Sequence, residues 1–188
     1  PNHVKNSFLN ELEERYGKLK KLPKSLSLFD VADGSLRIYI RYSKIHSKNQ
    51  SFYGLRFEDL KQLEGLNSVI CFLWDKDNHN EPLFIPYNEF EDVFNTLNPA
   101  SDGQYKVQIY HNLKFLELYI ANAGRFNVES FLGWDYCDSV IDKSKLTYLP
   151  DFSHSQIQTL VGSIGLIKGF DIWIPPVDRG KLDWNLYS

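Results

Sequence analysis

Read from the N-terminus, the apolar positions first recur at helical spacing. Phe8, Leu9, Leu12 and Tyr16 fall on one face of a helix predicted over Ser7 to Tyr16. Ser7 suits its N-cap, Glu11 its positive end and Gly17 its stop. Lys18, Lys20, Lys21 and Lys24 follow without apolar rhythm, broken by Pro23, and read as a solvated linker. The period then drops to two. Leu26 to Ala32 reads as a strand, Asp33-Gly34 as a turn, and Leu36 to Ser43 as the second strand of a hairpin. In that strand Leu36, Ile38, Ile40 and Tyr42 alternate with Arg37, Tyr39, Arg41 and Ser43, which puts the arginines on an outward face. Lys44 to Ser51 is polar and reads as a loop, ahead of a short extended piece over Phe52 to Arg56.

Further along, Phe57 to Leu63 predicts a short helix closed by Gly65, and Ser68 to Trp74 a buried strand. Leu83 to Pro86 returns as a strand, and Tyr87 to Leu97 is helical with Phe90, Val93, Phe94 and Leu97 on one face. Gln104 to Tyr110 and Phe115 to Ala121 pair across a turn marked by Asn112. Asn122 to Asn127 is a second polar loop, and Glu129 to Ile141 has weak helical character. From Ser153 the texture changes. Ser153 and Gln156 form a capping box, and Ile157, Leu160, Val161, Ile164 and Ile167 make a helical stripe stopped by Lys168 and Gly169. Phe170 to Ile174 then reads as a strand halted by Pro175-Pro176. Gly162 and Gly165 each cost about 1 kcal/mol against Ala in a helix, and fit where another element packs close.

Hairpin spacing over residues 26–140 predicts an α+β fold. Its centre is a mainly antiparallel, barrel-like sheet with short helices, flanked by an N-terminal helix and a C-terminal helix–strand unit. The expected domains are 1–25, a helix and basic connector; 26–150, a β-rich recognition domain; and 151–188, the possible start of a further domain.

Composition removes several classes. The apolar share of 43% and charged share of 24% belong to a globular chain. No run approaches the ~18 apolar residues that span a bilayer, and no secretory signal opens the chain. Cys71 and Cys137 are too few for a disulfide framework, so a cytoplasmic setting is expected, although Asn49-Gln50-Ser51 matches a glycosylation sequon. The chain starts at Pro1 and has no Met, as expected of a processed chain or a fragment. No P-loop or dinucleotide fingerprint is present. Gly162-Ser163-Ile164-Gly165 is one residue short of a nucleophile elbow, and the five histidines lack zinc spacing. The net charge of −3 hides an asymmetry: 12 Lys/Arg against 7 Asp/Glu over residues 1–61, and 9 against 17 over 62–188.

The richest constellation lies in the basic segment. Arg37, Arg41, Ser43, Lys44, His46, Lys48, Asn49, Gln50, Tyr53 and Arg56 fall within twenty residues. Lys and Arg neutralise phosphates, Arg pairs bidentately with guanine, and Asn and Gln pair with adenine. The plain alternative is a charged sheet face beside a solvated loop. Asn122, Arg125 and Asn127 repeat the donor-rich composition in the second loop, so two loops are expected to clamp a duplex from two sides. Acidic groups are less telling. Asp75 with Asp77 sits in a hydrophilic turn, and Glu89, Glu91 and Asp92 open a helix where acids suit the dipole. No metal site is assigned. Asp59-Leu60-Lys61 is an acid-x-lysine triplet in a predicted helix, and Pro150-Asp151 has no partner strand after it, so no complete nuclease site is read.

Two stretches resemble known families. His154 to Gln158, Gly165 to Pro175 and Asp178-Arg179 resemble the opening of PD-(D/E)XK endonuclease-like domains of bacterial restriction proteins. Arg37 to Lys44 with Phe52 to Arg56 is similar in layout to the pseudobarrel recognition domains of some restriction endonucleases, related in fold to a class of plant transcription-factor domains. The resemblance implies a sequence-specific double-stranded DNA recognition domain of a restriction-modification protein, with Arg41 to Arg56 as one arm and Asn122 to Asn127 as part of the other. It implies no cofactor in this segment, and Mg2+ where a nuclease domain is attached. DNA is then the main partner, with a homodimer or a downstream nuclease domain as the protein partner and no membrane. The rival readings are a metal-dependent endonuclease in its own right and a protein-interaction or assembly module.

Overall fold

Between residues 26 and 127 each period-two stretch finds a strand partner, but the pairing is not a simple run of hairpins. The computed structural model describes residues 3–75, 81–112, 115–146, 153–174 and 180. The chain divides into two units, Pro1–Leu146 and Thr147–Ser188. The first holds α1 (His3–Tyr16), β1 (Lys20–Lys21), β2 (Leu28–Val31), β3 (Leu36–His46), β4 (Gln50–Arg56), α2 (Phe57–Lys61) and β5 (Ser68–Asp75). It continues with β6 (Leu83–Pro86), α3 (Glu91–Thr96), β7 (Gln104–His111), β8 (Leu116–Ile120), β9 (Gly124–Asn127) and α4 (Asp135–Leu146).

The architecture is α+β. The nine strands among the described residues form one mainly antiparallel sheet in the order β1-β2-β3-β4-β7-β8-β9, with β5 and β6 attached beside β3. The sheet curls without closing. One bridge, Leu83 to Leu132, joins β6 to the stretch after β9. β3 is the hub. It pairs with β2, runs parallel to β5 from Arg37–Ser68 to Lys44–Asp75, and meets β4 through its last two residues. The parallel pair departs from the expected hairpin spacing; β4 and α2 supply the crossover that it needs.

Side-chain alternation explains the two cores. Ile70, Phe72 and Trp74 of β5 point inside the curled sheet, where they meet Tyr39, Tyr53, Leu55, Val107 and Leu118. Val69, Cys71 and Leu73 point the other way, against Phe8 and Leu12 of α1 and Cys137 and Ile141 of α4. β5 is buried on both faces, hence its unbroken apolar run. Burial also pushes the Cys71 thiol up, so it stays protonated. Tyrosine hydroxyls cross the interior. The Tyr53 hydroxyl donates to the Leu73 carbonyl at 3.1 Å, and the Tyr39 hydroxyl accepts from the Arg56 N–H at 3.1 Å. Both bonds tie β4 to the opposite wall.

Several expectations change. The lysine linker contributes a strand, with Lys20 opposite Asp30; both lysines are exposed, so no side-chain pattern marks it. The Asp33-Gly34 turn is a longer connection in which Ala32, Asp33 and Gly34 all take positive φ. The helix expected over Tyr87 to Leu97 is a 3-10 turn followed by the shorter α3.

In the second unit, α5 (His154–Ile167) begins with the expected capping box, and Lys168 and Gly169 end it. Phe170 to Ile174 is not paired as a strand among the described residues. It folds back instead: the Phe170 N–H donates to the Gly165 carbonyl at 2.9 Å, and a Cβ on Gly165 would sit 3.1 Å from Ile172. Gly165 is therefore small because this segment packs against it. Pro150, Asp151, Pro175, Asp178 and Arg179 lie outside the described residues, as does Asp77. No helix among the described residues is long and apolar enough to cross a membrane.

Candidate nucleic-acid interface

The helices α1 and α4 cover the outer face of β2, β3 and β5. Among the described residues of the first unit no helix covers the outer face of β4, β7, β8 and β9. Its residues follow from the alternation. Ser51, Tyr53 and Leu55 of β4 are buried, while Gln50, Phe52, Gly54 and Arg56 face out. On β7 the outward set is Gln104, Lys106, Gln108 and Tyr110; on β8 it is Glu117 and Tyr119; on β9, Arg125 and Asn127.

Register sorts these into rows. His46, Gln50, Tyr110, Glu117 and Asn127 are successive partners across β3, β4, β7, β8 and β9. The next row is Phe52, Gln108, Tyr119 and Arg125. Strand spacing of about 4.8 Å makes each row about 15–20 Å long. Residues expected in two separate loops, His46 and Gln50 in one and Arg125 and Asn127 in the other, thus share one face.

Local contacts shape the face. The His46 and Phe52 rings meet edge to face at 5.4 Å. The Arg125 guanidinium lies 4.1 Å from the Tyr110 ring centre, and Tyr110 meets Tyr119 edge-on at 6.4 Å. Glu117 is held by Arg125 at 3.4 Å and by the Asn112 amide at 3.1 Å. Gln104 lies across Gly54, where a Cβ would collide with its amide oxygen. Lys106 pairs with Asp102. Lys44, Lys48 and Arg56 are exposed and have no ion-pair partner among the described residues.

The first loop is shorter than expected. β3 runs on to His46 and β4 begins at Gln50, which leaves Ser47, Lys48 and Asn49 as the tip. Lys48 and Asn49 take positive φ, 80° and 51°. The tip is fastened to β7: the Asn49 carbonyl accepts from the His111 N–H at 2.8 Å, and Ser51 Oγ lies 2.9 Å from His111 Nε2. Ser43 Oγ accepts from the Phe52 N–H at 3.2 Å, at the point where β3 and β4 part. Sequence reading missed this continuation because Lys44, His46 and Gln50 interrupt the apolar alternation.

Other expected site residues lie elsewhere. Arg37 is not outward: its Nε and Nη2 donate to Asp30 at 2.6 and 3.1 Å, and its Nη1 to the Gln62 carbonyl at 2.8 Å. Arg41 is partly buried, its Nε has no hydrogen-bond partner among the described residues, and its guanidinium lies 5.7 Å from the Tyr39 ring centre. β3 lies between two cores, so an alternation that suggests one wet face has none along most of its length. Tyr53 is a core residue. Asn122 is in the β8–β9 turn, at the opposite end of the sheet from Lys48 and Asn49. The two tips are therefore not a pair of jaws. The second polar loop is itself mostly strand, since Gly124 to Asn127 is β9. Phe52, part of the expected first arm, is on the face, and Gln108, Tyr110 and Tyr119 join it without having been read as functional; their period-two exposure was the available signal. No cluster of three metal-ligating side chains occurs among the described residues.

No protein-family model matches the chain, and no curated protein matches it.

Proposed function

We propose that this chain is a sequence-specific recognition domain for double-stranded DNA in a prokaryotic restriction system. The observation that carries the reading is the sheet face that no described helix of the first unit covers, where amides lie with cations that have no ion-pair partner among the described residues, while acids are few and held. Lys44, Lys48 and Arg56 neutralise phosphates, which gives affinity without sequence preference. Asn49, Gln50 and Asn127 have the amides that pair with adenine edges, and Arg125 has the fork that fits guanine. The Ser47–Asn49 tip carries Lys48 and Asn49, both exposed, at the edge of this face. Membership of a restriction protein is supported by the two resemblances, in layout over Arg37 to Arg56 and in the stretch from His154.

The test is a fluorescence-anisotropy titration of random and methylated duplexes over a salt series. Binding is expected at low salt and falls linearly on a log–log plot. Lys48→Ala and Arg56→Ala are each expected to reduce the slope by about 0.9. No binding at low salt, or slopes unchanged in both variants, overturns the proposal. Magnesium-dependent cleavage by this chain would replace it with the nuclease reading.

A further inference from the structure

The rings of the outer face find no stacking partner on an intact duplex. Stacked, paired bases present only their edges in the grooves, so an aromatic face on a protein meets nothing flat there. Yet Phe52 is 46% exposed and sits beside His46 rather than under a covering element. The Arg125 guanidinium lies over the Tyr110 ring, 4.1 Å from its centre, and its side chain is half exposed. Tyr119 completes the set, opposite Gln108 on one side and Arg125 on the other.

We propose that this face is a stacking platform for unpaired bases, and that the chain binds a duplex carrying a short single-stranded segment more tightly than an uninterrupted one. Phe52 and the Arg125 plane are the stacking surfaces. Gln108 lies between them, and Gln50 and Asn127 lie beside them in the neighbouring row, as hydrogen-bond partners for exposed base edges. Lys44, Lys48 and Arg56 line the approach for the backbone. Base–aromatic stacking tolerates any sequence because every base has a π-face. Charge selects a nucleic acid over an apolar protein surface as occupant: Lys44, Lys48 and Arg56 have no ion-pair partner among the described residues, and burying them against an apolar patch would be costly.

The inference uses the same face as the proposed duplex binding but does not require it. The experiment compares a blunt duplex with the same duplex carrying a five-nucleotide overhang. That overhang is made once with bases and once with abasic sites, so the phosphates are equal. The base-bearing overhang is expected to bind at least about fivefold more tightly than the abasic one. 2-Aminopurine in the overhang is expected to lose fluorescence on binding. Phe52→Leu, which keeps an apolar side chain without a plane, and Arg125→Lys, which keeps the charge without a plane, are each expected to remove most of that difference. Phe52→Trp retains it. Phe52 is half exposed, so these variants fold.

Equal affinity for the base-bearing and abasic overhangs overturns the inference and leaves duplex binding standing. Binding of the base-bearing overhang with none of the blunt duplex supports the inference and removes the duplex reading. A preference for bases that survives both Phe52→Leu and Arg125→Lys moves the platform away from this face and overturns the inference.

Discussion

Arg37→Ala is expected to cost stability and leave DNA affinity unchanged. In the folded chain the guanidinium makes a forked pair with Asp30 and a third bond to the Gln62 carbonyl. The two side chains are 20% and 15% exposed, between a surface pair and a buried one. Exposed pairs are worth about 0–1 kcal/mol, and breaking a buried one costs about 3–5 kcal/mol. The forked geometry and the charge-assisted bonds put this pair in the upper half of that span. Removing Arg37 also leaves the Asp30 carboxylate with little water. The expected loss is about 2–4 kcal/mol, which for a chain of this size lowers the melting temperature by about 4–16 °C. Urea unfolding reads it as a lower midpoint at unchanged slope. A double-mutant cycle with Asp30→Ala isolates the pair. A loss under about 1 kcal/mol would refute the reasoning. So would a salt slope for DNA binding that falls by about one, because the guanidinium would then be on a phosphate rather than on Asp30.

Lys48→Gly is expected to raise stability by up to about 1 kcal/mol, because Lys48 holds φ at 80° where glycine is unstrained. The same change removes a cation, so thermal melting and DNA affinity are expected to move in opposite directions. Alkaline pH is expected to weaken the fold. Burial, aided by the Asp59 carboxylate, pushes the Tyr39 phenol up to about 12 against the offsetting pull of Arg41. The unfolded phenol ionises near pH 10. The stability linked to it is therefore complete below pH 10 and is lost as pH rises toward 12, at about 1.4 kcal/mol per pH unit at most. Urea midpoints between pH 9 and 12 measure it; Tyr16, Tyr42, Tyr53 and Tyr87 are raised too, so Tyr39→Phe should lower the slope by one phenol's share.

The strands were legible where one face was apolar and the other wet. Gln104 to Tyr110 and Leu36 to Ser43 announced themselves by alternation, and the Ser153–Gln156 capping box fixed the start of α5 within one residue. What alternation does not report is which faces other elements later cover. Arg37 and Arg41 look outward in a single strand, and only the packing of β3 between two cores shows that they are not. Lys20 and Lys21 pair through backbone groups, which side-chain patterns do not record. The parallel β3–β5 pair depends on contacts thirty residues apart. The site was half legible for the same reason. Its cations and amides were visible as residue types, but their gathering on one face came from the register of β4, β7, β8 and β9.

That gathering also changes what the charge along the chain means. Twelve Lys/Arg in residues 1–61 suggest a broad basic segment. Folding spends several of them internally: Arg15 on Glu11 and Asp138, Arg37 on Asp30, Lys61 on Glu64. The cations left for the face are Lys44, Lys48 and Arg56, joined by Arg125 from the acidic part of the chain. Counterion release scales with the number of phosphates neutralised, at about 0.9 per contact. With Lys44, Lys48 and Arg56 on phosphates and Arg125 on a base, three contacts give a log–log salt slope of about −2.7, whereas a surface using the whole basic segment would exceed −10. A shallow slope is thus the signature of this face, and it leaves discrimination to amides and planar groups that salt does not screen.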